Sequence, residues 1–178
     1  MNTNQIFFLI ILGLFGIPVV LSYIFGIKRI KNVDLLWGNI PQKYRKIYEI
    51  SMILSAISFF VFSSYIFVLS YKHYNLINIY ALYAFLLAGA ALWLPLMIEV
   101  IELKKRIYWI LTRISLAFVG LCSIIYLSMM LFSTYYGPFY TFAIIGLSIF
   151  TIHTVILDAI VWPYFFTKKK VTDNVNKK

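Results

Sequence analysis

Four ionisable side chains interrupt otherwise apolar stretches of this 178-residue chain: Glu99, Arg113, His153 and Asp158. A charge placed in hydrocarbon is costly, so each such residue marks a place where pairing, proton handling or ligand contact compensates. Counted at about 1.5 Å per residue from the ends of their apolar blocks, Glu99 lies roughly 5 Å deep, Arg113 about 9 Å and Asp158 about 13 Å, all in the same half. An unpaired buried charge costs several kcal/mol, so Arg113 is expected against Asp158 or Glu99. In the last apolar block Thr151, Thr154, Asp158 and Trp162 recur at i, i+3, i+7 and i+11. Such a stripe should look into a bundle and, with Trp93, Glu99 and Arg113, line a cavity. His153 falls about 140° round an α-helix from Asp158, at roughly 100° per residue. No second His shares its depth, so neither a bis-histidine haem nor a His/carboxylate metal site is expected, and no cofactor is assigned. No nucleophile motif, HExxH or Gly-rich phosphate loop occurs, which leaves an enzymatic reading without a motif.

The elements that must position these residues are membrane spans. The chain is 62% hydrophobic and 12% charged, with a mean hydropathy of +0.88. Its apolar residues form blocks long enough to cross a hydrocarbon core of about 30 Å. The pattern predicts an all-α bundle of five transmembrane helices, at about 6–27, 47–70, 77–101, 107–133 and 139–166, in one domain over 1–167. A basic cytoplasmic tail, 168–178, should be partly disordered. Pro18 is expected to bend the first helix. Ser51, Ser55 and Ser58 form a small-residue stripe suited to close helix packing. The face made by Ala81, Ala84, Ala88, Ala91 and Pro95 is expected to pack on a helix, with Gly89 and Trp93 on another. The first loop, with six cations beside Leu35, Leu36 and Trp37, suits a segment lying against headgroups and capping a cavity. His73 is expected in an exposed loop, and the single Cys122 excludes a disulfide framework.

The charge count sets an expected orientation. Of 16 Lys and Arg, six lie in the first loop, four in or just after the third turn, five in the tail and one in the second loop. The positive-inside rule then places the N-terminus outside and the C-terminus in the cytoplasm. The formal charge of +10 is read as topology signal and contact with anionic lipids, not as a nucleic-acid surface, because the cations punctuate spans.

Gly16 and Pro18 in helix 1, Trp37 and Pro41 in loop 1, Tyr80, Tyr83, Trp93 and Pro95 in helix 3, and Leu157, Asp158, Val161 and Trp162 in helix 5 carry a further likeness. With five spans and a long first loop, they resemble the translocator protein or tryptophan-rich sensory protein family. Asp158 stands where that family's pattern has an Asn. The resemblance implies an intramembrane pocket under loop 1 for a flat apolar ligand with acidic groups, such as a porphyrin, or for a sterol. It also implies a homodimer. On this reading Trp37, Tyr83, Trp93, Glu99, Arg113, Thr154, Asp158 and Trp162 contact the ligand of a sensor or transporter; Arg113 and the loop cations are expected to face its carboxylates on grounds of charge, which is not part of that family's pattern. Two rivals stand beside it. One is an accessory subunit of a membrane complex whose charges pair internally. The other is a small lipid-modifying enzyme, which requires His153 and a carboxylate to converge in one cavity.

Overall fold

The computed structural model describes residues 1–30, 32–72, 76–133, 137 and 139–166. His73, most of the turn over 134–138 and the basic tail lie outside the described residues. Every regular element among them is helical, and five helices are long and apolar enough to span a membrane. These are α1 (Thr3–Arg29), α2 (Gln42–Tyr71), α3 (Ile77–Leu103), α4 (Arg106–Leu131) and α5 (Tyr140–Phe166). Neighbours in the bundle run α1, α2, α5, α4, α3 and back to α1. The outward faces carry residues such as Leu14, Ile57, Phe60, Phe85 and Phe142. That apolar belt is what a lipid-embedded surface requires.

Element ends follow local chemistry. Asn2 caps α1 in a capping box with Gln5, supplying acceptors for otherwise orphaned N–H groups. Its side-chain amide also donates to the carbonyls of Ser70 (3.1 Å) and Tyr71 (3.0 Å), which ties the N-terminus to the far end of α2. Helix α2 begins at Gln42, earlier than expected at 47, so Lys43, Arg45 and Lys46 are helical. Pro41 precedes it and accepts from Tyr44 N, in keeping with the preference for Pro at helix starts. Leu103 ends α3, and Lys104 turns the chain in the left-handed region at φ 54°.

In α1, residues Leu12–Gly16 form a π-helical turn directly before Pro18. The widened turn absorbs the disruption caused by a residue without an N–H. The close approach of α3 to α4 is made at Gly89, where an added Cβ would meet Val119 Cγ2 at 2.8 Å. Ser115 Oγ donates to the Gly89 carbonyl at 2.7 Å. The alanine stripe does not take this role: Ala81 and Pro95 are exposed and Ala84, Ala88 and Ala91 only half-buried. A missing side chain allows closer backbone contact than a methyl does, and Gly89 occupies the contact face.

Toward the N-terminal end the core of the bundle is built from buried aromatic side chains. Tyr83 is fully buried, with Phe8 and Phe59 at ring-centroid distances of 5.1 and 5.8 Å, and Tyr126 and Phe150 close the same cluster around Phe62. Such offset and edge contacts between rings add to the gain from dense packing. The opposite end, which holds loop 1, the third turn and the end of α5, is hollow.

Candidate ligand-binding site

The hollow is shaped by α5. From His153 to Val161 its backbone is π-helical, and the i→i+5 bonding of such a turn holds one more residue than an α-turn. The polar stripe therefore does not stay on one face. Thr151 and Thr154 are buried against α4, where Thr154 Oγ1 lies 3.0 Å from Ser123 Oγ. Asp158 and Trp162 turn into the cavity. The same widening brings His153 beneath Asp158: Nε2 lies 3.4 Å from Asp158 Oδ2. The expected 140° separation is overturned because it assumed α-helical winding. His153 Nδ1 is also 2.8 Å from Ser51 Oγ on α2.

Loop 1 closes the top. Residues Val33–Trp37 form a 3₁₀ turn, and the Trp162 indole N–H donates to the Leu36 carbonyl at 2.7 Å. Gly38 follows with φ 57°, and a Cβ there would lie 3.0 Å from the Cα of Phe166. Both the dihedral and the contact call for glycine. Leu36 and Trp37 consequently pack inward on the bundle, while Asp34 reaches out to Arg45 Nη1 at 2.8 Å. Tyr48 O–H donates to the Leu157 carbonyl, fastening α2 to the π-helical turn.

The result is a cavity of about 220 Å³, open on one side. Its walls include Tyr23 of α1, Trp37 of loop 1, Tyr48 and Met52 of α2, Trp93 of α3, Leu116 of α4, and His153, Asp158 and Trp162 of α5. The aromatic walls brace one another. The Trp93 indole N–H donates to Tyr23 Oη at 3.1 Å, and the Trp93 and Trp162 ring centroids are 6.1 Å apart in an edge-on arrangement. Trp37 meets Tyr48 edge-on at 6.0 Å. Trp109, the fourth tryptophan of the chain, packs behind Trp162 at 5.8 Å.

Of the eight residues expected at a site, Trp37, Trp93, Asp158 and Trp162 share this cavity, and the other four do not. Tyr83 lies in the aromatic core, hydrogen-bonded to Ser63 Oγ at 2.8 Å. Thr154 is taken up by the contact with α4. Glu99 pairs with Arg29 Nη2 at 3.1 Å, and Glu102 shares the same guanidinium. Arg113 is exposed on the outer face of α4 and pairs with neither Asp158 nor Glu99. At about 9 Å from a helix end its long stem can carry the charge toward the interface, so no carboxylate partner is needed. Equal depth does not bring side chains together when their helices turn them to different azimuths, as α4 and α5 do with Arg113 and Asp158. Among the polar and aromatic lining residues, Tyr23 and Tyr48 were not anticipated, and His153, considered only for the enzyme reading, was expected to point away from Asp158. Only the last left a sequence signal, its five-residue spacing to Asp158, which becomes a contact once the helix is known to be π.

Comparison of the chain with protein-family models, curated proteins and solved structures returned no match.

Proposed function

We propose that this integral membrane protein is a sensor or transporter that binds a flat, largely apolar ligand in the cavity under loop 1. The supporting observation is the cavity itself: aromatic walls from four helices and a loop surround one carboxylate and one imidazole. Ligand sites have this composition, apolar surface with a few placed polar groups. Its size, about 220 Å³, is below the roughly 300–1,000 Å³ of pockets that enclose drug-sized molecules. It therefore seats about two fused rings, with the rest of a larger ligand in the open side. Of the two classes implied by the resemblance, a tetrapyrrole fits these walls less well, because its carboxylates would meet Asp158 and, among the described lining residues, no cation. On the orientation expected from the positive-inside rule, this end of the bundle, and with it the pocket, lies in the cytoplasmic half.

The test is saturable binding of 1-naphthylmethanol and of cholesterol to the protein in lipid nanodiscs, with empty nanodiscs subtracted. Met52→Trp, at the mouth, is expected to abolish it while leaving thermal stability unchanged. Binding that never saturates, or that Met52→Trp leaves intact, contradicts the pocket.

A second reading has its own observation. Ser51, His153 and Asp158 form a continuous chain in which one imidazole links a hydroxyl and a carboxylate. That convergence is what a lipid-modifying enzyme requires. Ser51 is not among the residues that line the cavity, so the groups facing a ligand are those of His153 and Asp158. Hydrolysis of a naphthyl ester by the nanodisc-embedded protein, lost in Ser51→Ala, would favour the enzyme; binding without turnover favours the sensor or transporter.

A further inference from the structure

We propose that the ligand is an organic cation, a flat ring system carrying a protonated amine, held among the aromatic walls with Asp158 as its counter-ion. This rests on the ligand-binding reading above and adds a charge to it. The first support is the charge inventory of the pocket end. Among the described residues its lining contains one carboxylate and no Lys or Arg. Two of the arginines at this end are paired with other carboxylates: Arg29 with Glu99 and Glu102, and Arg45 with Asp34. Arg113 faces outward. Among the described lining residues, an entering anion meets the Asp158 carboxylate and no cation.

The second support is the partner of that carboxylate. Among the described residues, Asp158 is engaged by His153. A neutral imidazole with its proton on Nε2 directs that N–H at Asp158 and accepts the Ser51 hydroxyl at Nδ1, so both contacts are met without a second charge. In that arrangement His153 orients the carboxylate without supplying a counter-charge. Closing a neutral apolar ligand over it would desolvate a charge that has only a neutral partner, which is unfavourable. A cation removes that cost.

The third support is the wall chemistry. Tyr23, Trp93 and Trp162 form one set of contacting rings in the lining, and Trp37 and Tyr48 another. Indole and phenol faces attract a cation, and more strongly where water is excluded, as inside a bilayer. One member of the set already does so, since the Arg45 guanidinium lies 5.7 Å from the Trp37 ring centroid. Aromatic rings grouped around a single carboxylate recognise an ammonium group on an apolar frame.

Isothermal titration calorimetry on the protein in phosphatidylcholine nanodiscs tests this with three probes of one shape: 1-naphthylmethylammonium, 1-naphthylmethanol and 1-naphthoate. The zwitterionic lipid keeps the membrane surface from concentrating either ion. The ammonium is expected to bind about 10-fold or more tightly than the alcohol, and the naphthoate most weakly. In Asp158→Asn the preference for the ammonium over the alcohol should vanish, with the ammonium weakened and the alcohol bound at least as tightly as before because no charge is desolvated; saturable alcohol binding also shows that the variant is folded. Should that variant fail to fold, the ranking of the three probes on the unaltered protein decides. Equal affinities for all three, or tightest binding of the naphthoate, overturn the cation while the pocket stands. Saturable binding of none of the three overturns the pocket as well.

Discussion

At the residue scale, the chemistry of this protein depends on which way each charge is turned. Depth alone sets Arg113 against Asp158 or Glu99, yet Arg113 faces outward on α4, Asp158 faces the cavity and Glu99 pairs with Arg29. Arg113 should therefore be dispensable: Arg113→Leu is expected to shift stability by no more than about 0.5 kcal/mol, as for other outward positions, read as a thermal midpoint in nanodiscs. A loss of several degrees would reveal a partner. His153 is the opposite case, since removing it strands both the Ser51 hydroxyl and the Asp158 carboxylate. His153→Phe should cost about 1–3 kcal/mol. Combined with Asp158→Asn, the loss should fall short of the sum of the two single changes by about 0.5–3 kcal/mol, because the two side chains share one interaction. Strict additivity would mean that the contact contributes nothing.

At the scale of elements, existence was legible and azimuth was not. Apolar block length identifies five spans because a helix crossing hydrocarbon must satisfy all its backbone groups internally and needs about 20 residues to do so. Where those helices face is set by details that a regular 100° winding misses. The π-helical stretch His153–Val161 rotates Thr154 away from Asp158 and His153 toward it, and no residue type in that stretch announces the extra turn. The small-residue reading was right in kind and wrong in place: Ser55 and Ser58 are buried on α2, but on α3 the contact is Gly89 and not the alanines. Two substitutions separate these cases. Gly89→Ala should destabilise by about 1–3 kcal/mol, because Val119, stiff at χ1, stands 2.8 Å from the new methyl. Gly13→Ala, with nothing within 4 Å, should be neutral or stabilise by up to about 1 kcal/mol. Equal effects in a chemical unfolding series would remove Gly89 as the point of closest approach.

At the scale of the whole molecule, the two ends of the bundle differ in kind. The end with the N-terminus is packed by Phe8, Phe62, Tyr83 and Tyr126, and the capping amide of Asn2 fastens α1 to α2 there. The end with loop 1 is hollow and holds all four tryptophans. The expected topology follows from the distribution of cations, and it is tested by cysteine accessibility in a Cys122→Ala background. Thr3→Cys should react with an impermeant maleimide in intact cells and Lys105→Cys only after permeabilisation; the reverse pattern would invert the protein. Much of the pocket's aromatic wall was thus visible as residue types, Trp37, Trp93 and Trp162, before their contacts were known. Tyr23 and Tyr48 were hidden because tyrosines near span ends commonly serve as interfacial anchors.

The gathering of every tryptophan at the hollow end makes a direct test available. Titration of the nanodisc-embedded protein with 6-bromo-2-naphthol, a flat two-ring probe whose bromine quenches indoles at short range, reports occupancy of the cavity as tryptophan emission. Saturable quenching of most of that emission, abolished by Met52→Trp after correction for the added indole, is the predicted result. Quenching that rises linearly with probe in the lipid and is the same in both proteins would contradict it.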